Sequence, residues 1–449
     1  SFLWLTVLVF TQPQFSGSFL VGRPDHHSLV MALLIVQLAW LYAYFDRRAG
    51  FRWTCAAGVA AGLQMITSVE ALVSVLVVAA ALAFGWLFCR QRTLATLTVY
   101  LLACVLTMAG WLVLTQPQDF FHLAYDRISI VHIVALTCGG IAIAALAAAD
   151  ARGWFEGRMI RSAAALTLAV ALSGSVTALW FPDFFRGPWP HLDPVVMTWH
   201  RKINELQPLL PTDWSSTAQF FAQLTAPLLS IPLILSRVRK GSQPFLLPSL
   251  IGLVVFGAIA LFQMRWSAEV QAATLLPWTL TTRQIMRSPR ALRIGQSALP
   301  LRAFALGGAL LLQMVPAELA RARPTAFAGS GACSWKAASE SLQAMRLRNE
   351  IILTSLWRGP EILWRTSLRV IGGPYEIAPA LSDTMSFEKG DERNARRIIE
   401  QRSVNFVLVC DAEDTGDFVD RLRRGSAPGW LQPVGLPGSP AGFRLYRVN

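Results

Sequence analysis

The stretch Gly22-Arg23-Pro24-Asp25-His26-His27-Ser28-Leu29 sets a carboxylate and two imidazoles side by side between two apolar runs. Pro24 fixes its own φ and biases Arg23 away from helix, so the backbone there is extended or turning. In such a backbone Asp25 and His27, two positions apart, can converge on one cation. A carboxylate with an imidazole is half of a site for Mn²⁺ or Mg²⁺, and two ligands alone are too few. His26 is a weaker candidate for the same cluster. The octapeptide reads equally well as an interfacial helix cap, with Ser28 capping the helix that follows.

Three further places carry side chains capable of chemistry. The loop 181–217 contains Trp199-His200-Arg201-Lys202-Ile203-Asn204-Glu205. It is long for a plain connector, and such loops are commonly functional. Glu205 could ligate a metal or accept a hydrogen bond from an acceptor nucleophile. The bland alternative is a solvated loop in which Arg201, Lys202 and Glu205 pair with one another. In Gln263-Met264-Arg265-Trp266, the fixed fork of Arg265 suits a phosphate, and snorkelling to lipid head groups beside an interfacial tryptophan is the competing reading. Glu70 interrupts an apolar stretch, Ser68-Val69-Glu70-Ala71, either as a turn residue between two spans or as the polar wall of a cavity.

The elements that position these residues are membrane spans. Of 449 residues 54% are hydrophobic and only 15% charged, which is too apolar for a soluble chain of this size. Eleven hydrophobic segments stand out, at roughly 1–11, 28–45, 53–69, 71–89, 94–115, 130–149, 162–180, 218–236, 244–263, 267–282 and 299–316. The weakest are the first, which reads as the back half of a longer run, and 267–282, which is short and carries Glu269. The opening run shows no signal peptide, and the expectation is that the chain begins inside a longer protein.

The net charge of +13 could point to nucleic acid, but its placement excludes that reading. Alternate loops at 46–52, 90–92, 150–161, 237–240 and 283–302 hold 16 Lys and Arg, and the opposite, longer set holds 6. This is a positive-inside pattern. It puts 12–27, the loop of Glu205 and Arg265 on the outer side, and the region after residue 316 outside as well. That region, 317–449, has mixed charge, Gly-Pro turns and short apolar runs. Strands are expected at Ile351–Leu356, Leu368–Ile371 and Asn405–Val409, and helices at Glu361–Arg365 and Asp391–Arg402. Trp357, Trp364 and Tyr375 are expected in the core of this α/β domain. Four cysteines (Cys55, Cys89, Cys104, Cys138) lie in apolar runs, and Cys333 and Cys410 in the polar part could pair.

The order of these features resembles a GT-C membrane glycosyltransferase, in particular the catalytic subunit of oligosaccharyltransferase. In that family an Asp followed two residues later by His or an acid lies in the second outer loop, matched here by Asp25 and His27. A Thr/Ser-x-x-Glu-type motif in the long fifth outer loop is matched at Ile203 and Glu205, with Lys202 replacing Thr or Ser. An arginine before the twelfth span, which takes the donor's phosphate, matches Arg265 by position. The likeness covers 1–316.

The resemblance implies a polytopic α-helical fold of about eleven spans in this chain, with a small C-terminal α/β extracytoplasmic domain. It implies transfer of a sugar from a polyprenyl-phosphate or -pyrophosphate donor, with a divalent metal (Mn²⁺ or Mg²⁺) as cofactor. The acceptor would be a protein or a glycan. The location would be the bacterial inner membrane, amid its lipids. Two departures bear on this: the family's first acidic motif has no counterpart, nor has the Trp-Trp-Asp motif that reads a Ser/Thr acceptor. A transporter or flippase for a lipid-linked sugar is the alternative. It predicts Asp25, Glu70 and Arg265 along a path through the membrane.

Overall fold

The computed structural model describes residues 12–19, 26–46, 50–89, 93–187, 194, 196–197, 203–239, 244–287, 291–294, 297–300, 307–308, 311, 315, 333–373, 379–411, 416–438 and 440–449. The chain divides into two compact units, Ser1–Pro190 with Asn204–Ala320, and His191–Ile203 with Arg321–Asn449.

The first unit is helical: α1 (Pro13–Gly17), α2 (His27–Phe45), α3 (Phe51–Thr67), α4 (Leu72–Cys89), α5 (Thr93–Thr115), α6 (Ile130–Ala151), α7 (Met159–Trp180), α8 (Trp214–Arg239), α9 (Leu247–Ala260) and α10 (Ser267–Arg287). A short antiparallel hairpin, β1 (Ala291–Ile294) with β2 (Ser297–Pro300), follows. Among the described residues six helices are long and apolar enough to cross a membrane, which does not establish the expected eleven. The 53–69 segment forms a helix of 17 residues and the 244–263 segment one of 14. Segment 1–11 and most of 299–316 lie outside the described residues.

Close packing and buried polar contacts hold the helices together, as a bilayer requires, because lipid tails offer no hydrophobic drive between apolar surfaces. Gly58 and Gly62, one turn apart on α3, face α5. A Cβ at Gly58 would stand 2.5 Å from the Tyr100 carbonyl oxygen, and one at Gly62 would stand 2.6 Å from Thr107 Cβ. Only hydrogen fits there. Nearby, Gln37 Nε2 donates to Gln64 Oε1 at 2.7 Å, the Tyr100 hydroxyl donates to Gln37 Oε1 at 2.6 Å, and Gln64 Nε2 donates to the Val30 carbonyl at 3.0 Å. These neutral groups satisfy one another inside the helical bundle, where lipid could not.

The segment 267–282, weak as a span, is a well-packed helix whose polar side chains point inward. Ser267, Gln271, Thr274 and Thr282 on α10 are buried. Gln271 accepts from the Phe15 amide at 2.9 Å and donates to the Gln223 carbonyl at 2.8 Å. Ser267 Oγ donates to Gln223 Oε1 at 2.6 Å. The Tyr42 hydroxyl donates to the Ala273 carbonyl at 2.8 Å and lies 2.8 Å from Ser249 Oγ, which joins α2, α9 and α10.

The second unit comprises α11 (Trp335–Ala344), β3 (Ile351–Leu353), α12 (Gly359–Arg365), β4 (Arg369–Val370), α13 (Pro379–Lys389), α14 (Glu392–Gln401), β5 (Phe406–Cys410), α15 (Asp417–Arg423), β6 (Leu431–Val434) and β7 (Phe443–Val448). The strands form one mixed sheet in the order β4-β3-β5-β7-β6, parallel at β3–β4 and β3–β5 and antiparallel at β5–β7 and β6–β7. All five residues of β5 are buried, as expected for a central strand covered on both faces. On α14 the side chains of Ala395, Ile398 and Ile399 are buried, and Asp391 caps the helix by accepting from the Asn394 amide at 2.9 Å. Val196, from the long loop, packs in this unit with Leu356, Leu381 and Met385.

Trp357 and Trp364 are not core residues as expected. They are 45% and 80% exposed, because the Leu356–Arg358 turn and α12 bury Leu356 and Ile362 instead. Tyr375 lies outside the described residues. Cys333 and Cys410 are bonded across a sequence separation of 77. A bond closing so long a loop removes chain entropy from the unfolded state. Replacing both by serine is therefore expected to lower this unit's stability by roughly 2–4 kcal/mol. The thermal midpoint of the full chain with and without reductant checks it, and an unchanged midpoint would assign the stability to the sheet core alone.

Candidate functional site

In the helical unit a cavity of about 40 Å³ opens among helix ends and tight turns, with room for a few waters. His27, Glu70, Glu205, Arg265 and Glu269 line it. Four of these five are candidates from the sequence, and they come from segments far apart in the chain.

Each is placed by local chain geometry. Helix α3 stops at Thr67, Ser68 is extended, and a turn at Val69–Ala71 leads into α4 with Glu70 at its centre. Glu70 is thus both a turn residue and a cavity wall, the two readings open from sequence. After α9, Gln263 is extended and Met264–Trp266 forms a second turn. Trp266 is buried, stacks on Phe256 at 6.1 Å, and donates its indole N–H to Gln263 Oε1 at 3.3 Å, which fixes the turn. The Met264 amide donates to the Gln207 carbonyl at 2.8 Å. That bond ties the Arg265 turn to the Asn204–Leu206 turn and brings Glu205 to the same cavity.

His27 opens α2, and His26 is its N-cap residue without a side-chain capping bond. Ser28 lies inside the helix, so it is not the cap. The rings of His26 and His27 sit 4.6 Å apart, with His26 exposed and only His27 lining the cavity. Asp25, Arg201 and Lys202 lie outside the described residues.

Arg265 Nη2 donates to Glu70 Oε1, closing an ion pair between residues 195 apart in sequence. The Arg265 side chain is 17% exposed and that of Glu70 35%. Arg265 Nε is buried and makes no hydrogen bond among the described residues, and the same is true of Glu269 Oε2. Glu269 stands in the first turn of α10, four residues after Arg265. Sequence reasoning counted it only against a span. The usable signal was an acid one helical turn beyond an arginine in an otherwise apolar stretch.

With its carboxylates ionised, this lining carries three negative charges against one guanidinium. Excess charge of that kind in a poorly hydrated site calls for a cation or protons. Carboxylate oxygens and an imidazole are also the donors that Mn²⁺ and Mg²⁺ accept. In charge and donor type the residues fit a divalent cation, and the unpartnered Glu269 oxygen accords with it. Among the described residues no three of His, Cys, Asp and Glu stand close enough to hold one.

No protein-family model matches this sequence, and no curated protein matches it either. Solved structures do. The archaeal oligosaccharyltransferase AglB from Archaeoglobus fulgidus, in complex with an inhibitory peptide and a dolichol-phosphate, aligns with a TM-score of 0.63 at 15% identity, over 90% of this chain and 54% of that one. The Archaeoglobus fulgidus oligosaccharyltransferase in its apo form gives 0.60 at 15% identity, over 91% and 57%. Its complex with Zn and sulfate gives 0.56 at 14% identity, over 91% and 55%. The chain thus spans a little over half the length of these relatives. The resemblance drawn from the motifs holds in three dimensions: this is a helical membrane protein with a small sheet domain, in the fold of archaeal oligosaccharyltransferase.

Proposed function

We propose that this chain is an integral membrane glycosyltransferase. It transfers a sugar or oligosaccharide from a polyprenyl-phosphate or -pyrophosphate donor to an acceptor on the outer face of the bacterial inner membrane. The observation that carries the reading is the meeting of Arg265, Glu205 and His27 in one cavity, within a fold whose solved relative was captured with a dolichol-phosphate. Residues 1–316 form the transmembrane part with the site, and 317–449 the extracytoplasmic domain. The distribution of Lys and Arg supports that orientation. So does the Cys333–Cys410 bond, since such bonds persist in oxidising compartments.

In this reading Arg265 binds the donor phosphate and neutralises the charge that grows on it as the sugar–oxygen bond breaks. Glu205 accepts a hydrogen bond from the acceptor's attacking group and so aims it. Asp25 and His27 hold a divalent cation, with Glu269 completing the negative wall. When bound, the cation supplies positive charge at the leaving phosphate. The acceptor is a protein or a glycan, and the missing Trp-Trp-Asp motif argues against reading of a Ser/Thr beside an asparagine.

A transporter would need ionisable groups along a path through the membrane. Here the charged lining residues sit at helix ends and in turns, and the polar groups buried between α2, α3 and α5, Gln37, Gln64 and Tyr100, are neutral and mutually satisfied. The test is reconstitution in liposomes with a labelled polyprenyl-linked sugar. Cleavage of the sugar–phosphate bond is expected, with a glycosylated acceptor and release of the polyprenyl phosphate from a phosphate donor or the pyrophosphate from a pyrophosphate donor. Movement of intact donor across the bilayer without cleavage would overturn the assignment.

A further inference from the structure

We propose that Glu70 is the resident counter-ion of Arg265 and times release of the phosphate product, an inference that rests on Arg265 being the phosphate-binding group. The guanidinium is not vacant: Glu70 occupies its Nη2, and the buried Nε makes no hydrogen bond among the described residues. A phosphate reaching Arg265 must therefore displace a carboxylate or crowd against it. Of the two partners Arg265 is the fixed one. It is more buried, and its turn is pinned by Trp266 and by the bond from Met264 to Gln207. Glu70 is twice as exposed and rides on a three-residue turn, so its side chain can swing into water and return without moving either helix.

The surrounding charge sets the direction of the effect. Glu205 and Glu269 share the cavity with Glu70. A phosphate at Arg265 shares the guanidinium with the Glu70 carboxylate, so Glu70 both competes for Arg265 and repels the newcomer. This keeps the hold on phosphate weak. After the sugar has left, the attached carboxylate stands at high effective concentration beside Arg265 and recaptures it. Glu70 acts through Arg265 and is a positioning residue, not a catalytic one.

The experiment measures binding of a short-chain polyprenyl phosphate to the detergent-purified full chain, together with donor turnover. Glu70→Gln removes the charge at nearly constant shape and is expected to bind the probe about tenfold tighter, equivalent to ~1.4 kcal/mol. Both KM for the donor and kcat should fall, because product leaves slowly. Glu70→Asp keeps the charge and should stay within about threefold of the parent. In an Arg265→Gln background the Glu70→Gln change should have no effect. Equal or weaker binding by Glu70→Gln, with an unshifted thermal midpoint, overturns the proposal. So does an unchanged gain in the Arg265→Gln background. If Arg265→Gln alone leaves probe binding intact, the phosphate role of Arg265 itself is wrong, and the inference falls with it.

Discussion

Arg265→Gln is expected to lower kcat/KM for sugar transfer by about 10²–10³-fold, the usual loss when a group aimed at developing charge is removed. Among the described cavity residues Arg265 is the one cation, so nothing nearby takes over. The size of the effect decides between two readings. An arginine that merely snorkels to head groups behaves as a surface residue, and its loss changes stability by only about 0.5 kcal/mol. Arg265→Lys keeps the charge but loses the planar fork that matches phosphate, and an intermediate loss of roughly tenfold is expected. The chain should still fold after either change, because Glu70 reaches water once its partner is gone. Donor cleavage in detergent, with kcat and KM resolved, is the measurement. A loss under threefold would return Arg265 to an interfacial role.

The second large effect concerns the cation. Asp25→Ala is expected to slow transfer by about 10²–10³-fold, by analogy with the loss of one preorganised electrostatic group. A chelator should abolish activity in the parent protein, and Mn²⁺ or Mg²⁺ should restore it. His27→Ala should cost less, because an imidazole adds no charge to the site. The metal concentration giving half-maximal rate separates ligands from bystanders. It should rise for Asp25→Ala and His27→Ala and stay fixed for His26→Ala, whose ring is exposed and off the cavity. Asp25→Ala turning over at near the parental rate would remove the metal assignment.

Most of the site's membership was legible in the sequence because charge is conspicuous in an apolar chain. Glu70 and Arg265 interrupt or border a hydrophobic run, Glu205 stands in a loop too long for a plain connector, and the positive-inside pattern assigns the Glu205 loop and Arg265 to the same side as an expectation. Pairing was not legible. Nothing local links Glu70 to Arg265 or Gln207 to Met264, since those contacts arise from how distant turns pack. In the C-terminal unit the strand at Phe406–Cys410 and the helix at Glu392–Gln401 were readable from a continuous apolar run and from an Asp cap with a strong apolar face. Strands Leu431–Val434 and Phe443–Val448 escaped because their patterns are short and mixed, with burial imposed by neighbours rather than by composition. The same cause explains Trp357 and Trp364. Bulk and apolarity favour the interior, but Leu356 and Ile362 already fill the available core.

The inward-facing polar stripe of α10 bears on how the chain enters its membrane during synthesis. A polar group carried into the hydrocarbon centre opposes insertion, by about 2.5–3.5 kcal/mol for an Asp, Lys or Arg there, and must find a partner. With Ser267, Gln271 and Thr274 on one face and Glu269 at its start, α10 has no comfortable place in lipid alone. Its partners, Gln223 on α8 and the Phe15 amide, and the Tyr42–Ser249 pair that meets its backbone, all precede it in the chain. They emerge from the ribosome before α10 does, so its hydrogen-bonding partners already exist when it is made. The polar face of α10 is thus matched by groups that all precede it in the chain, and the order of synthesis runs in the direction that this pairing needs.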